Sequence, residues 1–571
     1  MTDDAPPRHD DMTAPEAPSG PFRRVAWVAS IGAVLAVLAL AGWFRLSSLG
    51  AIPVHLADES YYGLQSSRMA RGESFRMHTT SGNLVDPFLL LPQAALHLAF
   101  EPSTWVMRLP VALSGLAAVG MLFLAARRLD RGTATLAAVL LATTPKAIMF
   151  SRIGCEFGQT PLVGAVAAWF ALRGRGVGLV LTLLAGQLVH PTNVLLVPIL
   201  VPVFLVRFRG RFADDPGGLR RAFRRWSIAA GVAVLGVAVA LLRRPFLRQM
   251  LRARFEGWSW SDAPIYLDLA ALFPFHGTLL GLDADRHGRL VWAVALAVLL
   301  PGVIRLAIGR RWDRLAIVAG ATLGLASLYV LGGATVLGPT DRYGTVLLVP
   351  GALASGCLIM ALLPGRRSAP APAPAVDRPR PPVAPNLLAA AIGGGLLVVS
   401  YANVVSPVAN APESIWTFRD EARDPYRRAI EVIEADMAGS DSGAPAGRPR
   451  LIIAQDYFVS TPLSYLAGGR GDLVVAELIT IPELGELVVG RDPLAAERPR
   501  LADRLAEGDY AVSGHSIFPQ LMAFIGEVAR DGFPADRVRH WPVSGPLNLA
   551  VYRVAPPARA VARDGPDARR R

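Results

Sequence analysis

Residues Val25 to Leu46 read VAWVASIGAVLAVLALAGWFRL, and His55-Leu-Ala-Asp-Glu-Ser-Tyr-Tyr62 follows shortly after. The first stretch has about the ~20 apolar residues needed to cross a bilayer. Arg23 and Arg24 precede it. Basic residues favour the cytoplasmic side, so the N-terminus is predicted inside and Asp58 emerges on the opposite face. Adjacent carboxylates at that boundary cost free energy and are functional candidates for that reason.

The rest of the chain extends this pattern. Of its 571 residues, 52% are hydrophobic and 18% charged, where a soluble chain carries roughly 25% charged residues. The net charge is +13, but the arginines fall in short clusters between apolar runs. That distribution reads as membrane topology and not as nucleic-acid binding. Further spans are predicted at Val106 to Ala126, Thr133 to Phe150, Pro161 to Leu172, Val177 to Val189, Val194 to Val206 and Trp226 to Leu242. Others follow at Leu290 to Ile308, Leu315 to Leu331, Thr345 to Leu363 and Leu387 to Val404, for about eleven in all. Threaded in alternation, they put the Arg clusters that follow inward spans on one side. The loops of Asp58, Glu156, His190 and Arg342 gather on the other.

The predicted fold is a polytopic α-helical membrane protein with a C-terminal extracytoplasmic α/β domain. Residues 1–22 form a disordered cytoplasmic tail, 23–365 the transmembrane domain and 366–385 a Pro/Arg-rich cytoplasmic linker. Residues 386–409 form the last span, 410–556 the α/β domain and 557–571 a disordered tail. In the α/β region, Pro425 to Gly439 and Phe518 to Asp531 read as helices. Leu451 to Ala454, Leu473 to Leu478, Tyr510 to Ser513 and Ala550 to Val554 read as strands. Asp86 to Phe100 is too short and too Pro-interrupted to span, and is predicted to lie in the interface. Cys155 and Cys357 suggest no disulfide framework.

Chemistry at a membrane surface with a charged lipid donor needs a base, cations for the phosphate and a surface for the acyl chain. Asp58 is the candidate base, with Glu59 beside it orienting the acceptor. The competing reading makes Asp58 an N-cap of a helix begun by Ser60 and Tyr61, with Glu59 favoured by the helix dipole. Glu156, after Ser151-Arg152, either completes an acidic pair or is a surface partner of Arg152. Arg342 suits a phosphate because guanidinium binds it bidentately. Lys146, the single lysine of the chain, either snorkels to water or contacts phosphate. His190 interrupts an apolar hairpin as a structural or substrate-facing group. No Cys/His metal signature, phosphate-binding Gly loop or nucleophile elbow is present.

These residues resemble the C-superfamily of membrane glycosyltransferases (GT-C), specifically family 39, which includes protein O-mannosyltransferases and the aminoarabinose transferase of lipid A modification. The resemblance rests on Asp58-Glu59-Ser-Tyr-Tyr62, Trp105-Val-Met-Arg-Leu-Pro110, Phe150-Ser-Arg152 with Glu156, His190-Pro-Thr192, and Asp341-Arg-Tyr343 with Pro350. It covers roughly Arg45 to Pro350. It implies a GT-C-like catalytic transmembrane domain that takes a sugar from a polyprenyl-phosphate donor and transfers it, with inversion, to a protein, lipid or glycan acceptor. The expected place is the outer face of the cytoplasmic membrane. Asp58, Glu59 and Glu156 would be catalytic. Arg342, Lys146 and Arg152 would bind the donor phosphate, and Tyr61, Tyr62, His190 and Tyr343 the substrate. A divalent metal bridging Asp58 and Glu156 is compatible with the preference of hard cations for carboxylates.

Two other classes compete. A transporter or lipid flippase would place its ionisable groups near the bilayer midplane on broken, repeated helices, whereas the charges here lie at loop edges and no internal repeat is evident. A non-catalytic assembly protein would act through its α/β domain.

Overall fold

The computed structural model describes residues 21–53, 55–79, 84–210, 300–332, 342–363, 425–439, 449–468, 470–479, 509–513, 538–543 and 549–554, with single positions between 215 and 231. The expected span Trp226 to Leu242, apart from Gly231, and the span Leu387 to Val404, the linker, residues 1–20 and 557–571, and the helix Phe518 to Asp531 lie outside the described residues. Of the expected span Leu290 to Ile308, residues 300–308 are described and helical.

The described membrane region is built from α1 (Pro21–Leu46), α2 (Ala57–Ala70), α3 (Pro87–His97), α4 (Thr104–Ala126), α5 (Arg131–Thr143) and α6 (Pro145–Phe150). It continues with α7 (Thr160–Leu172), α8 (Gly176–Val189), α9 (Leu196–Gly210), α10 (Trp312–Gly332) and α11 (Leu348–Leu362). Among the described residues, Thr104–Ala126, Pro191–Gly210 and Gly344–Leu362 are long and apolar enough to cross a membrane. Helices α4 and α7 pack together, as do α9 with α10, α11 with α5, and α1 with α4.

Lipid tails are as apolar as leucine, so helices in a bilayer associate through close backbone approach, and small residues permit it. Ala118, Ala125, Ala134, Ala137, Ala165, Ala168 and Ala171 are all fully buried in the shared core. Gly320 shows the demand most sharply: a Cβ there would lie 2.3 Å from the Ile199 carbonyl oxygen across the α9–α10 contact.

The third span departs from expectation. Thr133 to Phe150 is not one helix but two, α5 and α6, broken at Thr144-Pro145. Pro145 has no N–H, so the Leu141 carbonyl loses its i+4 donor. Arg45, buried near the end of α1, supplies the replacement. It donates to Leu141 O at 3.0 Å and to Ala142 O at 3.0 Å. An arginine in an apolar helix and a proline break a hundred residues away thus satisfy each other.

The C-terminal segments form α12 (Pro425–Gly439), β1 (Arg450–Asp456), α13 (Tyr457–Leu466), β2 (Leu473–Ile479), β3 (Tyr510–Ser513), β4 (Val538–Val543) and β5 (Leu549–Val554). The sheet order is β2-β1-β3-β5-β4. Strands β2, β1 and β3 run parallel, and β5 is antiparallel to both β3 and β4. Helix α12 covers one face with Ala429, Ile430 and Ile433 against Ile452, Tyr510 and Val551. Four of the strands fall where apolar runs predict them. Strand β4 was not expected, because Val538-Arg-His-Trp-Pro-Val543 carries charge and a proline, and it takes the edge position where a proline is tolerated.

This layer seats on α2 through α13. The Tyr465 hydroxyl donates to Ser103 O at 2.9 Å and accepts from Ser103 N–H at 3.0 Å. Its ring meets His55 and His97 edge-on, each at 5.8 Å. Gly63 makes room for it, since a Cβ there would lie 2.8 Å from the ring.

Replacing Arg45 with leucine leaves two buried carbonyls without that donor, at about 1–3 kcal/mol each. The thermal midpoint of the full-length protein in detergent should fall by several degrees, and an unchanged midpoint would remove Arg45 from this role.

Candidate functional site

The loops at one end of the bundle converge on α2. Its N-cap is Leu56, and the helix starts at Ala57. Asp58 therefore lies within the first turn and is not the cap, which corrects the capping alternative. Successive helix residues point about 100° apart, and this separates the two acids. Glu59 turns into the protein and Asp58 turns out.

Glu59 is completely buried with Arg108 of α4. Arg108 Nε donates to it at 2.8 Å and a guanidinium nitrogen pairs with its other oxygen. Glu59 also accepts from the backbone N–H of Leu56 at 2.9 Å and of Gly154 at 2.7 Å. Arg108 further donates to Leu49 O at 3.1 Å and Pro53 O at 2.8 Å. Burial works against the Glu59 carboxylate, but Arg108, His55 and the Gly154 N–H together hold its pKa below the ordinary value. Breaking such a pair typically costs about 3–5 kcal/mol. Expected to orient an acceptor, Glu59 instead ties α2 to α4 and to the loop after α6.

Asp58 is 44% exposed and pairs with Arg342, also 44% exposed, at 2.7 Å. The partners are 284 residues apart in sequence. An exposed pair contributes only about 0–1 kcal/mol, so stability does not account for it, and both groups remain accessible. Arg342 stands before a short 3-10 helix, Tyr343–Leu347, that leads into α11, and its guanidinium also lies 5.9 Å from the centre of the Phe157 ring.

Glu156 opens the 3-10 turn Glu156–Gly158. The Tyr62 hydroxyl donates to its carboxylate, and the fields of Asp58 and Arg342 both reach it. Burial raises the Glu156 pKa, offset in part by Tyr62. The Tyr62 phenol is itself pushed well up, first by burial and then by Glu156. Tyr61 does not join them; its hydroxyl donates to His78 O at 2.6 Å. His190, between α8 and α9, is held by Thr192 Oγ1 at 2.7 Å. Burial and then Arg342 depress its pKa to about 4, which leaves the imidazole neutral at physiological pH.

Asp58, Arg342, Glu156, Tyr62 and His190 are thus brought to one place, and others are not. Arg152 is buried and donates to the carbonyls of Phe44, Ser47, Ser48 and Ile52. It shapes the turn after α1 rather than facing a phosphate or pairing with Glu156. Lys146 is buried in α6, which touches the 3-10 helix after Arg342. The side chain of Tyr343 lies outside the described residues.

Among the described residues no group of three or more His, Cys, Asp or Glu side chains is placed to hold a metal. The two carboxylates considered for one are each engaged here, Asp58 with Arg342 and Glu156 with Tyr62. Asp86 and Arg108 were not expected among the site residues. Arg108 carried a usable signal, a lone charge in an apolar span. Asp86 is fully buried, accepts from Phe88 N–H at 2.9 Å as the N-cap of α3, and leaves Oδ2 without a hydrogen-bond partner. Burial, with Glu156 adding to it, pushes its pKa up to about 7.

No protein-family model matches the chain, and no curated protein does. Among solved structures it is similar to ArnT from Cupriavidus metallidurans in the apo state, at 16% identity and TM-score 0.49, covering 94% of this chain and 100% of that one. ArnT from the same organism bound to undecaprenyl phosphate gives 14% identity and TM-score 0.49, covering 93% and 99%. The archaeal oligosaccharyltransferase AglB from Archaeoglobus fulgidus, in complex with an inhibitory peptide and a dolichol-phosphate, gives 10% identity and TM-score 0.47, covering 87% and 70%.

The raised pKa of Asp86 has a signed consequence. The folded protein keeps a proton that the unfolded chain releases, so this contribution is full below about pH 4 and is lost as pH rises through about 7. Asp86→Asn retains an oxygen for the Phe88 N–H without the charge. Thermal midpoints measured from pH 4 to 8 should decline more for the native protein than for the variant, and parallel curves would contradict the assignment.

Proposed function

We propose that the chain is a membrane glycosyltransferase that moves a sugar from a polyprenyl-phosphate donor to an acceptor on the outer face of the membrane, with inversion. The observation that carries this reading is the exposed Asp58–Arg342 pair: a carboxylate and a phosphate-competent guanidinium in contact at 2.7 Å at the mouth of a helical bundle.

Arg342 receives the donor phosphate. Because the phosphate competes for the guanidinium that Asp58 occupies, loading the donor releases Asp58 as a base beside the anomeric carbon. Asp58 then takes the proton of an acceptor hydroxyl or amine. The acceptor heteroatom forms its bond to the anomeric carbon as the bond from that carbon to the phosphate oxygen breaks. The electron pair leaves on polyprenyl phosphate, a good leaving group whose charge Arg342 stabilises. Attack from the face opposite the phosphate inverts the centre. Glu156, favoured toward its protonated form by burial, and Tyr62 present hydrogen-bonding groups to the sugar, and neutral His190 lines the phosphate side. Glu59 and Arg108 act by holding α2. No step here requires a metal ion. The outward apolar residues of α3, Phe88 at 49% and Leu91 at 53% exposed, suit a prenyl chain lying in the interface. The α/β layer seated on α2 stands where an acceptor would approach.

Binding of undecaprenyl phosphate to the purified protein separates the two roles. Arg342→Ala should weaken it by about tenfold or more, the scale of a lost charge-assisted contact. Asp58→Asn should retain binding while transfer of label from a polyprenyl-phosphate sugar in native membranes is abolished. Full transfer by Asp58→Asn would remove the base from the mechanism.

A further inference from the structure

The opposite end of the bundle holds a second charged feature. Helix α4 carries Arg108 near the candidate site, and its other end, more than twelve residues on, delivers Arg127 and Arg128. The C-terminal end of α7 brings Arg173 beside them. Two cavities open here with Arg173 in the wall of each. One, of about 340 Å³, is also lined by Leu124, Arg127, Arg128 and Trp169. The other, of about 490 Å³, includes Arg310.

Two acids at this end are already engaged: Asp313 pairs with Arg207 at 2.6 Å and Asp130 with Arg314 at 2.8 Å. Among the described residues, Arg127, Arg128, Arg173 and Arg310 have no carboxylate in an ion pair. Arg173 lies over the Trp169 ring at 4.2 Å, within the fields of Arg128 and Arg175, and its Nε makes no hydrogen bond among the described residues. A scatter of arginines would satisfy the topology rule alone. Here they instead wall concavities beside an aromatic ring, and like charges so placed attract an anion.

The cavity edge identifies the kind of anion. Leu124 is 46% exposed on the membrane-facing side of α4, and Leu113 continues that outward face at 48%. A ligand seated on Arg128 and Arg173 therefore has an apolar surface beside it along which chains can run. We infer that this end of the bundle binds the phosphate headgroup of an anionic glycerophospholipid, with Arg128 and Arg173 as the principal contacts and the acyl chains along α4. The site is separate from the one assigned to the sugar donor and does not depend on that assignment.

The full-length protein in detergent, mixed with equal amounts of phosphatidylglycerol and phosphatidylcholine, should retain phosphatidylglycerol preferentially in native mass spectrometry. The double variant Arg128→Gln with Arg173→Gln should lower that retention by about thirtyfold, as two guanidinium contacts to a headgroup imply. Neutralising Arg71, which follows the last residue of α2, and Arg76 in the loop beyond it, both exposed at the other end, should leave it unchanged. Equal retention of the two lipids by the native protein would overturn the proposal without reference to any variant. So would undiminished retention by the double variant, or displacement of the lipid by millimolar inorganic phosphate, which would mark a site for the free anion.

Discussion

The buried pair of Glu59 and Arg108 is the constraint from which the candidate site follows. One carboxylate gathers a guanidinium and two backbone N–H groups, and the guanidinium in turn takes the carbonyls of Leu49 and Pro53. The turn after α1, the start of α2, the body of α4 and the loop after α6 are thereby fixed relative to one another. Since an uncompensated charge in that position would cost several kcal/mol, the four segments cannot separate cheaply. With Glu59 facing inward, Asp58 lies one helical step away at the exposed edge of α2, in reach of Arg342.

A second layer of the same logic lies beneath. Arg152 and Arg45, also buried, are bound to backbone carbonyls, the first in the turn before α2 and the second at the break between α5 and α6. Three arginines thus organise the irregular backbone at this end of the bundle, where water does not satisfy it. Arg342, by contrast, is 44% exposed and pairs with an equally exposed carboxylate, Asp58.

Much of the fold was legible in the sequence because apolar length and Arg placement act locally. The ends of α4, α7, α8 and α12 fall within two residues of their predicted limits. The break at Pro145 was not read, because an unbroken apolar pattern hides a missing N–H whose remedy, Arg45, lies a hundred residues away. The meeting of Asp58 with Arg342 was anticipated only as a shared side of the membrane. What sequence could not assign was which of two adjacent acids faces in. That depends on where the helix starts, and a start at Ala57 capped by Leu56 has no Ser, Thr, Asp or Asn at the cap, only Glu59 three residues on reaching back to the Leu56 N–H. The same blindness gave Arg152 a phosphate, when its partners are carbonyls that only the folded turn presents.

In the proposed reaction, donor phosphate exchanges with Asp58 on the Arg342 guanidinium. A structure of the full-length protein with bound undecaprenyl phosphate tests it most directly. The phosphate should lie on the Arg342 guanidinium, with Asp58 displaced from the 2.7 Å contact and Glu59–Arg108 unchanged. A phosphate bound elsewhere, with the Asp58–Arg342 pair intact, would contradict the claim.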